Sequence, residues 1–377
     1  MGALTNAPAN TATQEVPQTV QPQTPGRPFI HYARRHPEPG PINAGGVAFG
    51  ASYTPQDIPA IGYLRDLWVQ FQATGGSGSG AGAASATADA PWSTVQLLEV
   101  LDIGGQAIVS ADGYGYYLLN HYGGYDWQNV LTGGPNYAAM TTVTGAGDGN
   151  YNFELKVPFE INKLSGYGAL PNENAAANYK LRLNLAATGA VYATAPQTVP
   201  SFSINTQIDT WTKPKDAGAP LAPVGNGSTV YYTQQTYATV TGFNTIELTG
   251  RKGNPFLAQF FVFRDSSGNR YSVSAVTDFR YRVNSFDMIG PTPWAKINGD
   301  WYRSMGNALE LGTWPISFRQ DFNDHPAGDD TMERYLPTSG ATRLELAGTL
   351  PSGASGGSLT VYTLDLIPQG PIPYALA

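Results

Sequence analysis

Strict alternation of apolar and polar residues is the feature that most limits how this chain can fold. In YNFELKVPFEI, which begins at Tyr151, every odd position is apolar, and Asn, Glu, Lys, Pro and Glu stand between them. Successive side chains of a β-strand point to opposite faces, so the segment predicts a strand with one buried and one wet face. Glu154 and Glu160 fall on the predicted wet face. Pro158 lacks the N–H that a sheet ladder uses, and we expect it at an edge or a bulge.

Other segments extend this pattern along the chain. LWVQFQA from Leu67 and YKLRLNL from Tyr179 alternate in the same way. FLAQFFVF from Phe256 is nearly continuous apolar sequence, which is typical of a strand covered on both faces. Gly (44), Pro (29) and Tyr (22) are abundant and charged residues are only 13%, which favours many short strands and turns. The sequence therefore predicts an all-β fold of two antiparallel sandwiches in tandem.

The domain organisation follows from length and from two Pro-rich stretches. The 377 residues, 41% of them hydrophobic, are enough for two cores. Residues 1–45 are rich in Pro, Gln, Thr and Asn, and they are either a disordered tail or an extended arm that orders against a neighbour. Residues 209–228 are polar and Pro-rich and indicate a linker. We expect a first domain over 46–220 and a second over 221–377.

Charge and composition exclude several classes of protein. The net charge is −7 and the basic residues are scattered, so no basic stripe is available to bind nucleic acid directly. The first residues lack the basic and apolar regions of a signal peptide, and no apolar run is long enough to span a bilayer. We expect a soluble product made in the cytoplasm. The absence of Cys excludes disulfides and thiolate zinc sites.

No segment carries a convincing catalytic, cofactor or metal motif. The run GGSGSGAG from Gly75 lacks the Lys-Ser/Thr ending of a phosphate loop, so we expect a surface loop. The acidic residues at 321–330 could hold calcium, but they depart from the EF-hand pattern and favour a solvated loop. Glu154 and Glu160, about 20 Å apart along a strand, are too far apart for a glycosidase pair. We therefore expect no enzyme activity and no cofactor.

A tyrosine-rich segment raises a different possibility. DGYGYYLLNHYGGYDW from Asp112, together with Trp68 and Trp92, offers aromatic side chains that could stack on sugars or fill a contact between subunits. Its density of Tyr and Gly favours an interface or a recognition loop over catalysis.

The layout of the chain resembles a known family. A Pro-rich arm is followed by GASYTPQDIPAIGYLRDLWVQFQATGG, then by YNFELKVPFEINKLSGYGALPNENAAANYKLRLNL, then by a second β-domain of similar size. This is similar to the double jelly-roll major capsid protein of tectivirus-like bacteriophages, in the PRD1–adenovirus lineage. The resemblance implies two eight-stranded jelly rolls, a homotrimer with a pseudo-hexagonal outline, and an icosahedral shell over an internal membrane.

The same resemblance implies partners and a location. The partners are neighbouring capsomers, penton, minor capsid and membrane-associated virion proteins, and the inner lipid membrane through the N-terminal arm. The protein would be made in the host cytoplasm and end in the virion capsid. As interface residues we predict Phe29, Arg34, Arg35, Trp211 and Tyr374. The alternative is a carbohydrate- or receptor-binding β-sandwich protein, a phage spike or lectin-like module that uses the Tyr and Trp loops.

Overall fold

Strands dominate the fold. The computed structural model describes residues 28–78, 82–123, 132, 135–162, 165–216, 219–305, 308–318 and 335–368. In these residues the α-helices are α1 (Gly113–Tyr122), α2 (Thr188–Val191) and α3 (Trp294–Met305). Short 3-10 turns occur at Phe29–His31, Trp92–Thr94 and Ser352–Ala354. The predicted all-β class is confirmed.

Where the structure describes the first half of the chain, it has eight long strands and three short ones. They are β1 (Arg35–Val47), β2 (Ser52–Asp57), β3 (Tyr63–Thr74), β4 (Ser85–Ala86), β5 (Val95–Leu101), β6 (Ala107–Ala111), β7 (Tyr151–Pro158), β8 (Leu170–Pro171), β9 (Lys180–Leu185), β10 (Tyr192–Thr194) and β11 (Ser201–Trp211). One sheet has the order β1-β11-β3-β7, with β8 added beside β3, and the facing layer has the order β6-β5-β9-β2. The short β4 and β10 pair with each other.

The described residues of the second half form eight strands. They are β12 (Thr229–Ala238), β13 (Gly242–Glu247), β14 (Phe256–Arg264), β15 (Phe279–Val283), β16 (Phe286–Thr292), β17 (Thr313–Ser317), β18 (Leu344–Leu350) and β19 (Ser358–Ile367). One layer has the order β17-β14-β19-β12 and the other has the order β13-β18-β15-β16.

The two halves share one strand order. When the eight long strands of each half are numbered from its own start, both halves have one sheet ordered 1-8-3-6 and one ordered 2-7-4-5. This is the double Greek-key order of a jelly roll. The chain is therefore two eight-stranded jelly rolls in tandem, as predicted.

A single sheet runs through both rolls. The fifth strand of the first roll, β6, lies parallel to the first strand of the second roll, β12, with Val109 opposite Tyr232 and Ser110 opposite Thr233. This junction joins two four-stranded layers into one eight-stranded sheet, β17-β14-β19-β12-β6-β5-β9-β2. The backbone ladder therefore fixes the orientation of one roll against the other.

The buried faces are those that the alternation predicted. Leu67, Val69 and Phe71 on β3 and Phe153 and Leu155 on β7 are fully buried. β14 is buried along almost its whole length because it lies between β17 and β19 and is covered on both faces. Pro158 ends β7, an edge strand, as expected.

The strand β1 overlaps the predicted arm. Residues 35–45, which we assigned to the arm, are paired with β11 in the first roll. The prolines Pro37, Pro39 and Pro41 fit a strand here because β1 is a sheet edge, where a missing N–H on the free side costs nothing. The predicted linker, 209–228, includes the last residues of β11 and ends directly before β12. The division at residues 46 and 220 stays a prediction.

Asp365 on β19 gives the second roll a pH-dependent stability. Its fully buried carboxylate accepts hydrogen bonds from Arg251 (Nη2 to Oδ2, 2.9 Å) and Asn254 (2.6 Å). Burial raises the pKa of Asp365 to about 6, against the lowering by these two donors. Between about pH 4 and pH 6 the folded state therefore holds more protons than the unfolded chain, so stability falls as the pH rises through this window.

We expect Asp365→Asn to remove this dependence. On going from pH 7 to pH 4, the wild type should gain about 2 kcal/mol of unfolding free energy relative to the variant. Urea unfolding of both proteins across this range measures the difference. A difference between the two proteins that stays constant with pH would contradict the assignment.

Candidate association surfaces

The residues just before β1 are anchored to their own roll. Phe29, in the 3-10 turn, is 1% exposed and packs edge-on against Tyr63, with 5.4 Å between ring centroids. Ala33 and Ala169 complete this small cluster, which is separate from the main core. We expected Phe29 to contact a neighbouring subunit. Its ring instead makes contacts within the chain, and little of the side chain is accessible to a neighbour. The contact with a neighbouring subunit stays a prediction.

Arg34 and Arg35 lie at the start of the β1–β11 pair. The backbone N–H of Arg34 donates to Thr212 Oγ1 at 3.0 Å, and its side chain is exposed. Arg35 Nε donates to Asp209 Oδ2 at 3.0 Å. The Arg35 side chain is largely exposed whereas that of Asp209 is buried, and this hydrogen bond raises the pKa of Arg35. These two residues are available at the surface, as an interface role requires.

Trp211 belongs to a buried polar cluster. Its Nε1 donates to Glu160 Oε1 at 2.7 Å, and Arg65 Nε donates to Glu160 Oε2 at 2.7 Å. The Arg65 guanidinium also lies 4.2 Å from the centroid of the Trp211 ring. Burial raises the pKa of Glu160 despite these donors. The prediction that Glu160 lies on a wet face is wrong, because the chain leaves the strand after Pro158 and turns this side chain toward Arg65.

A second ion pair lies beside the first on the outer face of β3. Lys156 Nζ is 3.2 Å from Asp66 Oδ2, and both side chains are nearly inaccessible, so the prediction that Lys156 lies on a wet face is also wrong. Lys156 also lies 5.1 Å from the centroid of the Trp68 ring. Farther along the face, Trp68 lines an open groove of about 410 Å³ with Glu154 and the amides Gln70, Asn136, Asn205 and Gln207, beside Pro37 and Pro39 of β1.

The tyrosine-rich segment is a buried helix rather than the exposed loop that we expected. Asp112 caps α1 by accepting from the Gly115 N–H at 2.7 Å, and all ten helical residues, Gly113–Tyr122, are buried. The aromatic side chains that we considered for sugar stacking are therefore inside the protein at Trp92, Tyr114, Tyr116, Tyr117 and Tyr122. Tyr125 and Trp127 lie outside the described residues.

Helix α1 connects the two rolls. Tyr232 of β12 donates to the Gly115 carbonyl oxygen at 2.6 Å, and Tyr362 of β19 donates to Asp112 at 2.9 Å. Tyr114 donates to Glu310 at 2.8 Å, and Tyr117 donates to the same carboxylate. The helix thus serves the junction between the rolls, and the hydroxyl groups of Tyr114 and Tyr117 are committed to that contact.

The free surface of the second roll carries apolar side chains. Phe286 is 74% exposed and Met288 is 44% exposed, both on β16 at one edge of its sheet. Phe243 on β13, at the opposite edge, is 56% exposed. The linker adds Leu221 and Val224, which are also exposed. Phe286 and Met288 are two residues apart on one strand, and contiguous exposed apolar groups are typical of surfaces that another protein covers.

Several sequence features lie outside the described residues or show no site. Tyr374, the acidic loop at 321–330 and residues 79–81 of the Gly-rich run are not among the residues described. Where the structure describes the chain, His, Asp and Glu side chains nowhere gather in a group of three suited to a metal ion. Within the same ranges, no helix has the length and apolar character of a membrane span.

Two rolls of one strand order, joined by a shared sheet, define a double jelly roll. No protein-family model matches this chain, and no curated protein matches it. Solved structures of the same fold do match. The major capsid protein of Sulfolobus turreted icosahedral virus superposes with a TM-score of 0.64 at 17% identity, covering 90% of this chain and 98% of that chain.

Two further matches come from other viruses. The PBCV-1 virus capsid gives a TM-score of 0.58 at 15% identity, covering 89% of this chain and 94% of that chain. The major capsid protein P2 from bacteriophage PM2 gives 0.50 at 10% identity, covering 89% and 98%. At these identities the likeness establishes the double jelly-roll fold.

Proposed function

We propose that this chain is the major capsid protein of an icosahedral virus and that its function is to associate with itself. The observation that carries the proposal is the pair of side-by-side rolls with one strand order and one shared sheet. Three copies of such a chain present six similar lobes, so a threefold ring fills a nearly hexagonal tile. The structures that this chain resembles over nearly its whole length are those of viral capsid proteins, which supports the proposal.

The proposal includes the finer organisation that the resemblance implied. Residues 1–45 would include the arm, and the rolls would meet near Pro220, within the stretch between β11 and β12. Phe29, Arg34, Arg35, Trp211 and Tyr374 would lie at contacts between copies. Penton, minor capsid and membrane-associated proteins of the virion, and an internal membrane, would be the other partners. No reaction is assigned to the chain.

The mass of the purified protein in solution tests the proposal. We expect a trimer of about 120 kDa, three times the 40.1 kDa of one chain, that persists on dilution. Light scattering across a range of concentrations gives the mass, and imaging of concentrated samples would then show hexagonal tiles. A monomer of 40.1 kDa at every concentration would contradict a capsid subunit.

A second candidate function rests on the groove beside Trp68. An aromatic ring next to several amides and a carboxylate offers stacking and hydrogen bonds to a sugar. A carbohydrate-binding protein would show glycan affinity that Trp68→Ala removes while the mass in solution stays unchanged. The capsid proposal expects no such ligand, so a glycan screen distinguishes the two.

A further inference from the structure

The edge strands β16 and β1 are equivalent in strand order to the two strands, β6 and β12, that pair at the junction between the rolls. Inside the chain, a fifth strand, β6, lies beside a first strand, β12. Among the described residues, the fifth strand of the second roll, β16, and the first strand of the first roll, β1, each pair with a strand on one side only. Each chain therefore has one unpaired fifth strand, β16, and one unpaired first strand, β1, among its described strands. These are the two kinds of strand that pair at the internal junction.

Exposure of the two fifth strands supports an intermolecular contact at β16. On β6, which pairs with β12 of the second roll, Ile108 is 2% exposed. On β16, Phe286 is 74% exposed and Met288 is 44% exposed. Equivalent strands thus both carry large apolar side chains, and only the strand that lacks a neighbouring roll leaves them in water.

The edge of β1 fits a partner that packs by side chains. Pro37 and Pro39 are exposed and have no N–H, so this edge cannot support a long ladder with another strand. The internal junction needs no long ladder either, since only two residue pairs join β6 to β12. Rigid proline rings present apolar surface on which an aromatic ring and a thioether can pack.

We propose that β16 of one copy, through Phe286 and Met288, docks on the Pro37–Pro39 edge of β1 of a second copy, and so repeats between copies the junction that joins the rolls. The contact is head to tail, and such contacts close into rings when the rotation permits. The inference rests on the proposed self-association and names the surfaces that perform it.

The first test changes the apolar side of the contact. We expect Phe286→Asp with Met288→Asp to reduce the mass in solution from that of the trimer to 40.1 kDa, with an unchanged circular dichroism spectrum that shows the fold is kept. Phe243→Asp is the matched control, because Phe243 is also an exposed Phe on the opposite edge of the same sheet, and it should leave the mass unchanged. A trimer that survives the double substitution overturns this interface but leaves the proposed function standing. A monomeric wild type would contradict both.

The second test uses the absence of cysteine in the chain. Met288→Cys and Pro39→Cys are made in separately tagged chains, which then carry one thiol each. Co-expressed and treated with a short bis-maleimide, the two variants should form a covalent heterodimer, whereas each variant alone should remain uncrosslinked. Crosslinking of Met288→Cys to itself would indicate a symmetric contact between like edges and overturn the head-to-tail arrangement.

Discussion

Arg65→Met should lower the unfolding free energy by about 3–5 kcal/mol, because it leaves the carboxylate of Glu160 buried without its counter-charge. Both side chains of this ion pair are almost completely inaccessible, and Trp211 supplies the only other hydrogen bond to Glu160 among those described above. Without Arg65, Glu160 would take up a proton at a higher pH than it does now. The stability of the variant should therefore rise as the pH falls toward the acid range. Chemical denaturation at several pH values measures both effects.

Two further variants separate a lost charge partner from a general loss of packing. Adding Glu160→Gln to Arg65→Met removes the unpaired charge and keeps an acceptor for the Trp211 indole, so the double variant should regain much of the stability. Lys296→Met breaks an exposed ion pair with Asp300 on α3 and should cost less than 1 kcal/mol. If the single and double variants at Arg65 are equally unstable, the buried charge is not the cause.

Gly115→Val should destabilise the protein at the upper end of the 1–3 kcal/mol range for overpacked cores. A Cβ at Gly115 would lie 2.3 Å from Cε1 of Tyr362, a fully buried ring whose hydroxyl group is bonded to Asp112. The ring cannot move aside without breaking that bond, so helix α1 must withdraw from β19. The change therefore acts on the contact between the rolls.

Gly189 supplies a matched control for this substitution. It lies in helix α2, and a Cβ there would meet nothing within 4 Å. Gly189→Val should change the melting temperature little, whereas Gly115→Val should lower it by several degrees. Thermal unfolding of the two variants and the wild type measures the difference. Equal effects of the two substitutions would mean that the tight contact at Tyr362 is not the cause.

The strands could be predicted from sequence because their signal is local. Alternation along β3, β7 and β9 predicts which side chains point to the buried face of the sheet. The continuous apolar run of β14 predicts a strand that is buried on both faces. The tandem sandwiches followed from length and spacing. Neither signal contains the order of strands within a sheet, which depends on pairing between distant segments.

Three features of the structure could not be predicted from the sequence. Helix α1 is buried on all sides, so it has no polar face and shows no helical period. The Asp112 cap three residues before Gly115 was the one local sign of its start. Glu160 continues the alternation of β7, and only its distant partner Arg65 reveals that it is buried. The sequence pattern did not predict that Phe286 and Met288 are exposed, because their exposure depends on which strands lie at the edges of the folded sheets.

The ladder between β6 and β12, reinforced by the tyrosine bonds to helix α1, has a mechanical consequence. A hinge between the lobes would have to break backbone pairing and buried hydrogen bonds together, so bending within one chain is costly. Such a chain is stiff along the line that joins its lobes. In a closed shell assembled from it, the curvature would arise at the contacts between separate chains. Under load, the contacts between capsomers would deform before the individual chains do.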